Sequence, residues 1–184
     1  MRPRLRGVVH VTQKVRGDLP GLRNQSTFRV IREAIRAGNE KPGFRVVAFS
    51  VLSNHLHYMV EAGSTGALSR GMQGLAIRVA KALNRHLRRR GKVFLERFFA
   101  KGVRGMGSLR RALVYVLQNA RKHRVRLPRG RPDPYSSAPW FRFWRERHEV
   151  PADPSPVAEV QDQWLSAVLG LGLSLEDVPA SASG

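Results

Sequence analysis

The stretch SNHLHYMVE contains two histidines, at positions 55 and 57, in a chain that has only six. Side chains alternate along a β-strand, so His55 and His57 would project from the same face of a strand, about 6–7 Å apart at Cα. Two imidazole rings at that spacing can share a divalent cation. A hairpin strand with two half-exposed histidines fits the same pattern, so a metal site would need at least one more ligand from elsewhere in the chain.

A later segment, residues 109–123, offers a candidate partner for such a site. Its apolar residues fall on one stripe of a helix, and Tyr115 lies roughly 140° from the centre of that stripe. A core tyrosine would lie within the stripe, so this phenol faces something else, although a boundary tyrosine of an amphipathic helix fits equally well. Asn119 lies one helical turn further along the same side.

A tyrosine beside a metal site indicates one chemistry in particular. A phenol has a reference pKa of about 10 and is a weak nucleophile at neutral pH. A divalent cation on a phosphodiester oxygen would stabilise the charge that develops in the transition state. The tyrosine could then attack phosphorus and form a covalent phosphotyrosine, which conserves the bond energy for rejoining.

The charge of the chain indicates a polyanionic partner. The 184 residues include 33 Lys and Arg against 13 Asp and Glu, a formal net charge of +20. All 33 basic residues and 7 of the acidic ones precede His148, so this part of the chain carries +26 and the rest is acidic. Nucleic acid is the leading partner, because neutralised phosphates release counterions. An anionic membrane is the alternative, and charge alone does not separate DNA from RNA.

Composition also limits the compartment and the type of site. The chain has no cysteine, which excludes disulfides and thiolate zinc sites and fits a reducing cytosol. The basic N-terminus lacks the apolar core of a signal peptide. The longest apolar run, residues 165–175, is shorter than the about 20 residues that a membrane span needs. We therefore expect a soluble, cytoplasmic protein with no membrane partner.

The elements that would position these residues are strands and helices in alternation. Periodicity and turn residues predict strands over 7–15, 44–52, 55–61 and 93–103, and helices over 26–36, 67–89 and 109–123. Ser108 is the expected cap of the last helix. The order predicts an α+β fold: a ferredoxin-like, split βαβ antiparallel sheet with helices on one face, plus a C-terminal helix that carries Tyr115. We expect one domain over residues 1–147 and an acidic, partly flexible tail over residues 148–184.

The motifs together resemble a known family. NHLH after an apolar strand, with YVLQNARKH 60 residues later, resembles the HUH single-strand nucleases. The likeness is greatest to the IS200-like single-tyrosine transposases and, within them, to the REP-associated tyrosine transposase branch. Four longer stretches are similar in the same order: VVHVTQKVRG, VAFSVLSNHLHYMVE, LNRHLRRRGKVFLERFFAKGV and DPYSSAPWF. The resemblance covers residues 7–145.

The resemblance implies a reaction and a set of site residues. Tyr115 would be the nucleophile. His55, His57 and Asn119 would be the metal ligands, with Gln118 a second candidate because it points about 100° away from Asn119 on the helix. The reaction would be cleavage and rejoining of single-stranded DNA, often at hairpin-forming palindromic repeats, through a 5′-phosphotyrosine and with Mg²⁺ or Mn²⁺.

The sequence departs from the family's pattern in two places. Ala120 stands where proline is frequent, and Leu52 and Ser53 stand where Met-Pro is frequent. Neither change touches an expected catalytic atom. The resemblance is compatible with a monomer or with a homodimer that exchanges the tyrosine helix.

Basic residues in two segments of the chain, 85–92 and 111–124, would contact the DNA backbone. They are Arg85, Arg88, Arg89, Arg90, Lys92, Arg111, Arg121, Lys122 and Arg124. We interpret Phe94, Phe98 and Phe99 as core residues rather than base-stacking platforms, and His10 as structural. The acidic tail could occupy the basic groove until DNA displaces it.

A binding module is the alternative to an enzyme. The same fold with its site unused could bind structured single-stranded DNA, or RNA, because split βαβ sheets also recognise RNA. RNA-binding sheets of that kind present aromatic residues on two central strands, whereas the third strand here presents histidines.

Overall fold

The computed structural model describes residues 7–123, 125–158 and 172–177. Its elements in chain order are β1 (Val8–Lys14), α1 (Gln25–Arg36), β2 (Glu40–Lys41), β3 (Phe44–Val51), β4 (His55–Ala62), α2 (Thr65–His86), β5 (Phe99–Val103), α3 (Met106–Leu117) and α4 (Asn119–Lys122). A 3₁₀ turn at Ala138–Trp140 follows. The first three strands predicted from the sequence correspond to β1, β3 and β4.

The five strands form one antiparallel sheet in the order β2–β3–β4–β1–β5. Without the two-residue strand β2, this is the order of a split βαβ unit, in which β4 lies between β1 and β3. α1 and α2 pack on one face of the sheet, and α3 packs on the other. The predicted α+β, ferredoxin-like sheet with an added C-terminal helix is therefore confirmed.

Alternation along the strands divides the apolar residues between two cores. Val11, Phe49 and Tyr58 pack with α1 and α2. Val8 and Met59 pack on the opposite face with α3. The two histidines of β4 precede Met59 by two and four residues, so they lie on the face that α3 covers.

The tyrosine helix differs from its prediction at both ends. α3 begins after an N-cap at Gly105, whose φ of 78° is strained for any residue with a Cβ. Ser108 therefore lies within the helix and does not cap it. The helix stops before Gln118, whose φ of −113° and ψ of 15° leave the helical region, and α4 starts at Asn119. The predicted uninterrupted helix is therefore wrong at this residue, whose buried side chain donates a hydrogen bond to the carbonyl of Ser174.

The fourth predicted strand, over residues 93–103, is interrupted. Phe94 forms a bridge with Val15, and Phe99 starts β5 opposite Thr12. Between these two pairs β1 has two residues and the outer strand has four, so the outer chain bulges away from the ladder. The strand prediction is therefore right only for its second half.

A segment beyond α4 lies along β3. The backbone N–H of Val51 donates to the carbonyl of Tyr135 at 2.8 Å, and the N–H of Ser137 donates to the carbonyl of Phe49 at 2.9 Å. The stretch DPYSSAPWF thus extends the sheet beside the end of β3 that β2 does not reach.

The described parts of the acidic C-terminal region, 148–158 and 172–177, contact the body of the protein. Leu173 is buried and exchanges backbone hydrogen bonds with Phe143 and Arg145. The domain boundary at residue 147 stays a prediction. Within the described residues, no helix is both long enough and apolar enough to span a membrane.

Candidate metal and tyrosine site

β4 presents His55 and His57 side by side, with ring centroids 4.8 Å apart. His57 is buried, and its Nε2 has no hydrogen-bond partner among the described residues. Nδ1 of His55 lies 2.7 Å from Oδ1 of Asn54. That oxygen can only accept, so Nδ1 carries the proton and Nε2 of His55 keeps its lone pair. Each predicted histidine thus has one ring nitrogen available for a metal.

β1 holds the ring of His57 from the neighbouring strand. Nδ1 of His57 lies 3.0 Å from Nε2 of His10 and 3.1 Å from Oγ1 of Thr12. Strand alternation puts His10 and Thr12 on one face of β1, but only the pairing of Thr12 with His57 brings them to the site. The interpretation of His10 as a structural residue missed this contact, because a sequence does not give the register between strands.

Tyr115 lies beside the histidines of its own chain. Its ring centroid is 5.4 Å from that of His57 and 5.3 Å from that of His10. The Nζ atom of Lys122, on α4, lies 4.6 Å from the centre of the tyrosine ring. Tyr115 packs at the margin of the core beneath α3, so the structure places it on the histidine face, as its position off the apolar stripe predicts.

The other two tyrosines of the chain lie elsewhere. Tyr58 is fully buried on the opposite face of the sheet, and burial raises the pKa of its phenol well above its usual range. Tyr135 packs against Phe28 and under the guanidinium of Arg23. Only Tyr115 faces the histidine pair.

The two candidates for a third ligand differ in their hydrogen bonds. Asn119 is fully buried, and neither its Oδ1 nor its Nδ2 has a partner among the described residues. Gln118 donates from Nε2 to the carbonyl of Ser174 and accepts at Oε1 from Arg121, each at 3.1 Å. A buried amide without partners calls for an explanation such as a bound ion. The hydrogen bonds therefore favour Asn119 over Gln118.

These residues are compatible with a divalent cation. Within the described part of the chain, no three His, Cys, Asp or Glu side chains converge closely enough to bind a metal. A metal on the histidine pair would therefore need a ligand of another type, and the unpaired amide oxygen of Asn119 is the candidate. Two imidazoles and an amide oxygen form a mixed N/O set that Mn²⁺ or Mg²⁺ can use.

Burial keeps the histidines of the site neutral. Burial lowers the pKa of His57 to about 2, and the nearby His10 and His55 lower it further in the same direction. Burial, followed by the charge of Lys101, lowers the pKa of His10 to about 4. Burial, followed by His123, lowers that of His55 to about 4. A neutral imidazole is the form that binds a metal, so these rings need not lose a proton at neutral pH.

The first group of predicted DNA-binding residues lies at the end of α2 and in the loop that follows. It consists of Arg85, Arg88, Arg89, Arg90 and Lys92. The same loop continues to Leu95, whose N–H donates to the carbonyl of Lys14 at 2.9 Å. Lys14 is paired with His55 across β1 and β4. This group therefore lies at the same end of the sheet as the histidine pair.

The second group lies along α3 and α4. Arg111 and Lys122 flank Tyr115 in sequence, and Lys122 covers its ring. Arg121 is held by hydrogen bonds to the side chain of Gln118 and to a nearby carbonyl. Arg124 lies outside the described residues. The role of both groups in DNA binding stays a prediction.

Three phenylalanines near the site have different environments. Phe94 is buried, and Phe98 packs against the core beneath α1 and α2. Phe99 is 70% exposed. The interpretation as core residues is therefore wrong for Phe99. Adjacent strand residues point to opposite faces, so Phe98 and Phe99 could not both enter one core.

Comparison with known proteins places this arrangement in a class. The model of the family described as IS200-like transposases matches residues 11–119, which include the histidine pair, Tyr115 and Asn119. The chain therefore belongs to the IS200-like transposase family, and the resemblance found in the sequence is confirmed. No curated protein matches the chain.

Solved structures share the fold. A REP-associated tyrosine transposase bound to a REP hairpin matches with a TM-score of 0.59 and 19% identity, over 72% of this chain and 76% of that one. A protein assigned as a transposase in Deinococcus radiodurans R1 is 12% identical, with a TM-score of 0.47, over 70% of this chain and 98% of that one. The first of these supports the fold, and the second is too distant to add to it.

Proposed function

We propose that the protein cleaves and rejoins single-stranded DNA through a covalent 5′-phosphotyrosine on Tyr115. The observation that carries this proposal is the contact between the rings of Tyr115 and His57, whose Nε2 is buried and unpaired among the described residues. Membership of a transposase family supports DNA strand transfer as the activity. The REP hairpin bound to a protein of the same fold supports a hairpin-bearing substrate.

The reaction would exchange one phosphate ester for another. Oη of Tyr115 attacks phosphorus, the bond from phosphorus to the 3′ oxygen breaks, and the phenolic proton reaches the released 3′ oxygen through solvent, which makes it a hydroxyl. The segment on the 3′ side of the cut stays attached to the tyrosine through its 5′ phosphate. Attack by the 3′-hydroxyl of another strand reverses these steps and joins the two strands.

Mg²⁺ or Mn²⁺, held by His55, His57 and Asn119, would withdraw negative charge from the phosphate in the transition state. His10 and Thr12 keep the ring of His57 in place through its Nδ1. These contacts occupy Nδ1, so Nε2 is the nitrogen that would bind the ion.

Positive charge would hold the strand on this face. The ammonium of Lys122 lies over the tyrosine ring, where it can attract the phosphate that the phenol must reach. The basic residues after α2 lie at the same end of the sheet, so a strand could run from them to Tyr115. Such contacts bind a phosphate backbone without reading its sequence.

The test is a denaturing gel of single-stranded, hairpin-bearing oligonucleotides incubated with the protein and Mn²⁺ or Mg²⁺. We expect a protein–DNA adduct that survives denaturation and that disappears with EDTA or in Tyr115→Phe. Tyr135→Phe is the matched control, because this second partly buried tyrosine also lies beside a cation but faces the other core.

A different result would change the assignment. Equal DNA binding by wild type and Tyr115→Phe, with no adduct from either, would identify a binding module for structured single strands. Repeating that binding measurement with RNA of the same sequence then separates the two nucleic acids as ligands.

A further inference from the structure

Phe99 is the most exposed large apolar side chain in the described part of the chain and the only aromatic one among those exposed there. It lies at the start of β5, the outer strand of the sheet next to β1. Single exposed apolar residues are common on proteins and need no explanation by themselves. This ring differs from the other exposed apolar side chains in its position relative to the proposed site.

Phe99 lies on the same face of the sheet as the proposed site. It is paired with Thr12 on β1, and Thr12 is paired with His57 on β4. Directly paired residues share a face of the sheet, so all three lie on the face that Tyr115 approaches. Two strand spacings, about 10 Å, separate the backbone of Phe99 from that of His57. A nucleotide beside the reacting phosphate could span this distance.

Several cations lie on the same face of the sheet as the exposed ring or close to it in sequence. Lys14 and Lys101 lie on the same sheet face as Phe99, because each is paired with a residue of that face on the neighbouring strand. Arg97 precedes the strand, and Lys122 lies across the site over the tyrosine. An open aromatic ring among cations is how many proteins bind a single strand, since the cations attract phosphates and the ring stacks on a base.

We propose that Phe99 is the stacking platform for the base next to the reacting phosphate. This inference rests on the proposed function, in which the site takes single-stranded DNA. The DNA strand would lie across β1 and β5. Tyr115, near the end of α3, and α4 would lie beside it. Stacking on Phe99 fixes the position of the nucleotide, so the neighbouring phosphate is held beside His57.

An exposed outer strand could also pair with the same strand of a second copy of the chain. An antiparallel pair of β5 strands would place Lys101, at the centre of the strand, close to the same lysine of the other copy. Lysine on an outer strand opposes such pairing. The charge around Phe99 therefore favours a polyanion over another copy.

The test compares single strands with and without bases. An oligodeoxyadenylate and an abasic strand of the same length carry the same charge, so the ratio of their Kd values isolates the contacts to bases. In the Tyr115→Phe background, which cannot form an adduct, we expect Phe99→Ala to weaken binding of the oligodeoxyadenylate on the order of ten- to a hundredfold. Binding of the abasic strand should be almost unchanged.

Three further variants sharpen this comparison. Phe99→Trp should retain the affinity for the oligodeoxyadenylate, whereas Phe99→Leu should lose it, because leucine is apolar but has no aromatic face. Ile77→Ala is the matched control: this exposed side chain lies on α2, which packs on the other face of the sheet. The exposed position of Phe99 also predicts an unchanged Tm for all of its variants.

Two results would overturn the proposal. One is that Phe99→Ala loses the same affinity for the oligodeoxyadenylate and for the abasic strand, or loses affinity for neither. The other is a change of sedimentation mass in Phe99→Ala, which would assign the ring to self-association. The measurement reads binding and not cleavage, so it remains decisive even if the tyrosine forms no adduct.

Discussion

The Nε2 atom of His10 lies 3.0 Å from the Nδ1 atom of His57, so a residue of β1 orients a ring that belongs to β4. The two rings are also nearly parallel, with centroids 5.1 Å apart and an angle of 26° between their planes. A ligand histidine whose second nitrogen is held in this way keeps its tautomer and its direction. In the proposed metal site, His10 would therefore position the ring of His57.

Replacing His10 by alanine should weaken metal binding without removing a ligand. Loss of such an outer partner typically lowers metal affinity about 10- to 100-fold. Calorimetric titration of Mn²⁺ into the Tyr115→Phe protein with bound oligonucleotide measures this effect. His86→Ala, at the end of α2, is the control and should bind Mn²⁺ normally. Equal affinity in His10→Ala and the control would mean that His10 has no part in the site.

Asn119→Ala and Gln118→Ala should affect different properties of the protein, the first metal binding and the second stability. Asn119→Ala should reduce Mn²⁺ affinity by at least about tenfold, comparable to the loss of an outer partner, because its unpaired amide is the proposed ligand. Gln118→Ala should leave Mn²⁺ affinity unchanged but lower the free energy of unfolding by about 1–3 kcal/mol, because the two hydrogen bonds that its buried side chain makes to half-buried partners are lost. Titration and urea denaturation of both variants separate the two roles. Loss of Mn²⁺ binding in Gln118→Ala alone would reverse the assignment.

The parts of this site that depend on local pattern could be predicted from the sequence. Alternation along a strand is enough to put His55 and His57 on one face, and helix periodicity is enough to turn Tyr115 away from the apolar stripe. The order of strands and helices, together with the family's motifs, defines the sheet that brings them together.

The parts of the site that depend on strand register and on long-range contacts could not be predicted from the sequence. His10 reaches His57 only through the alignment of β1 with β4, which no local pattern encodes. The break at Gln118 accompanies a side-chain hydrogen bond to the carbonyl of Ser174, far along the chain. Phe99 is exposed because α3 packs mainly over β3 and β4 and leaves the outer strand uncovered, which is a property of the assembled fold.

One chain should be sufficient for activity. Tyr115 lies beside the histidines of its own chain, so no residue of the proposed site has to come from a second copy. A mixture of His57→Ala and Tyr115→Phe should therefore form no more adduct than either variant alone. A mixture of wild type and Tyr115→Phe controls for dilution. Recovery of the adduct in the first mixture would show that two copies exchange the tyrosine helix.

Asp133→Asn should destabilise the fold strongly. The carboxylate of Asp133 is fully buried and accepts two hydrogen bonds from the guanidinium of Arg23, at 2.9 and 3.0 Å. Removing one partner of a buried ion pair typically costs about 3–5 kcal/mol, because the other charge is left unpaired. Asp153→Asn is the control: its pair with Arg32 is exposed and should contribute less than about 1 kcal/mol. Urea denaturation measures both, and equal effects would contradict the prediction.

The stability of the metal-free protein should fall as the pH is lowered from about 6.5 to about 4. Burial lowers the pKa of His10 and of His55 to about 4 in the folded protein, whereas both titrate near 6.5 in the unfolded chain. Between these values the unfolded chain binds more protons, so the free energy of unfolding rises with pH. The full stability is present above about 6.5, and the loss is complete only below the folded pKa values.

Denaturation in EDTA at pH 7 and at pH 5 measures this loss, which should be on the order of 1–3 kcal/mol. His10→Gln should reduce the difference between the two pH values, because it removes one of the titrating rings. His86→Gln should not, since the side chain of that histidine is exposed at the end of α2. Mn²⁺ at pH 7 should raise the stability further, because only the folded protein brings the ligands together. A free energy of unfolding that is the same at both pH values would show that the histidine cluster is open to protons in the folded state.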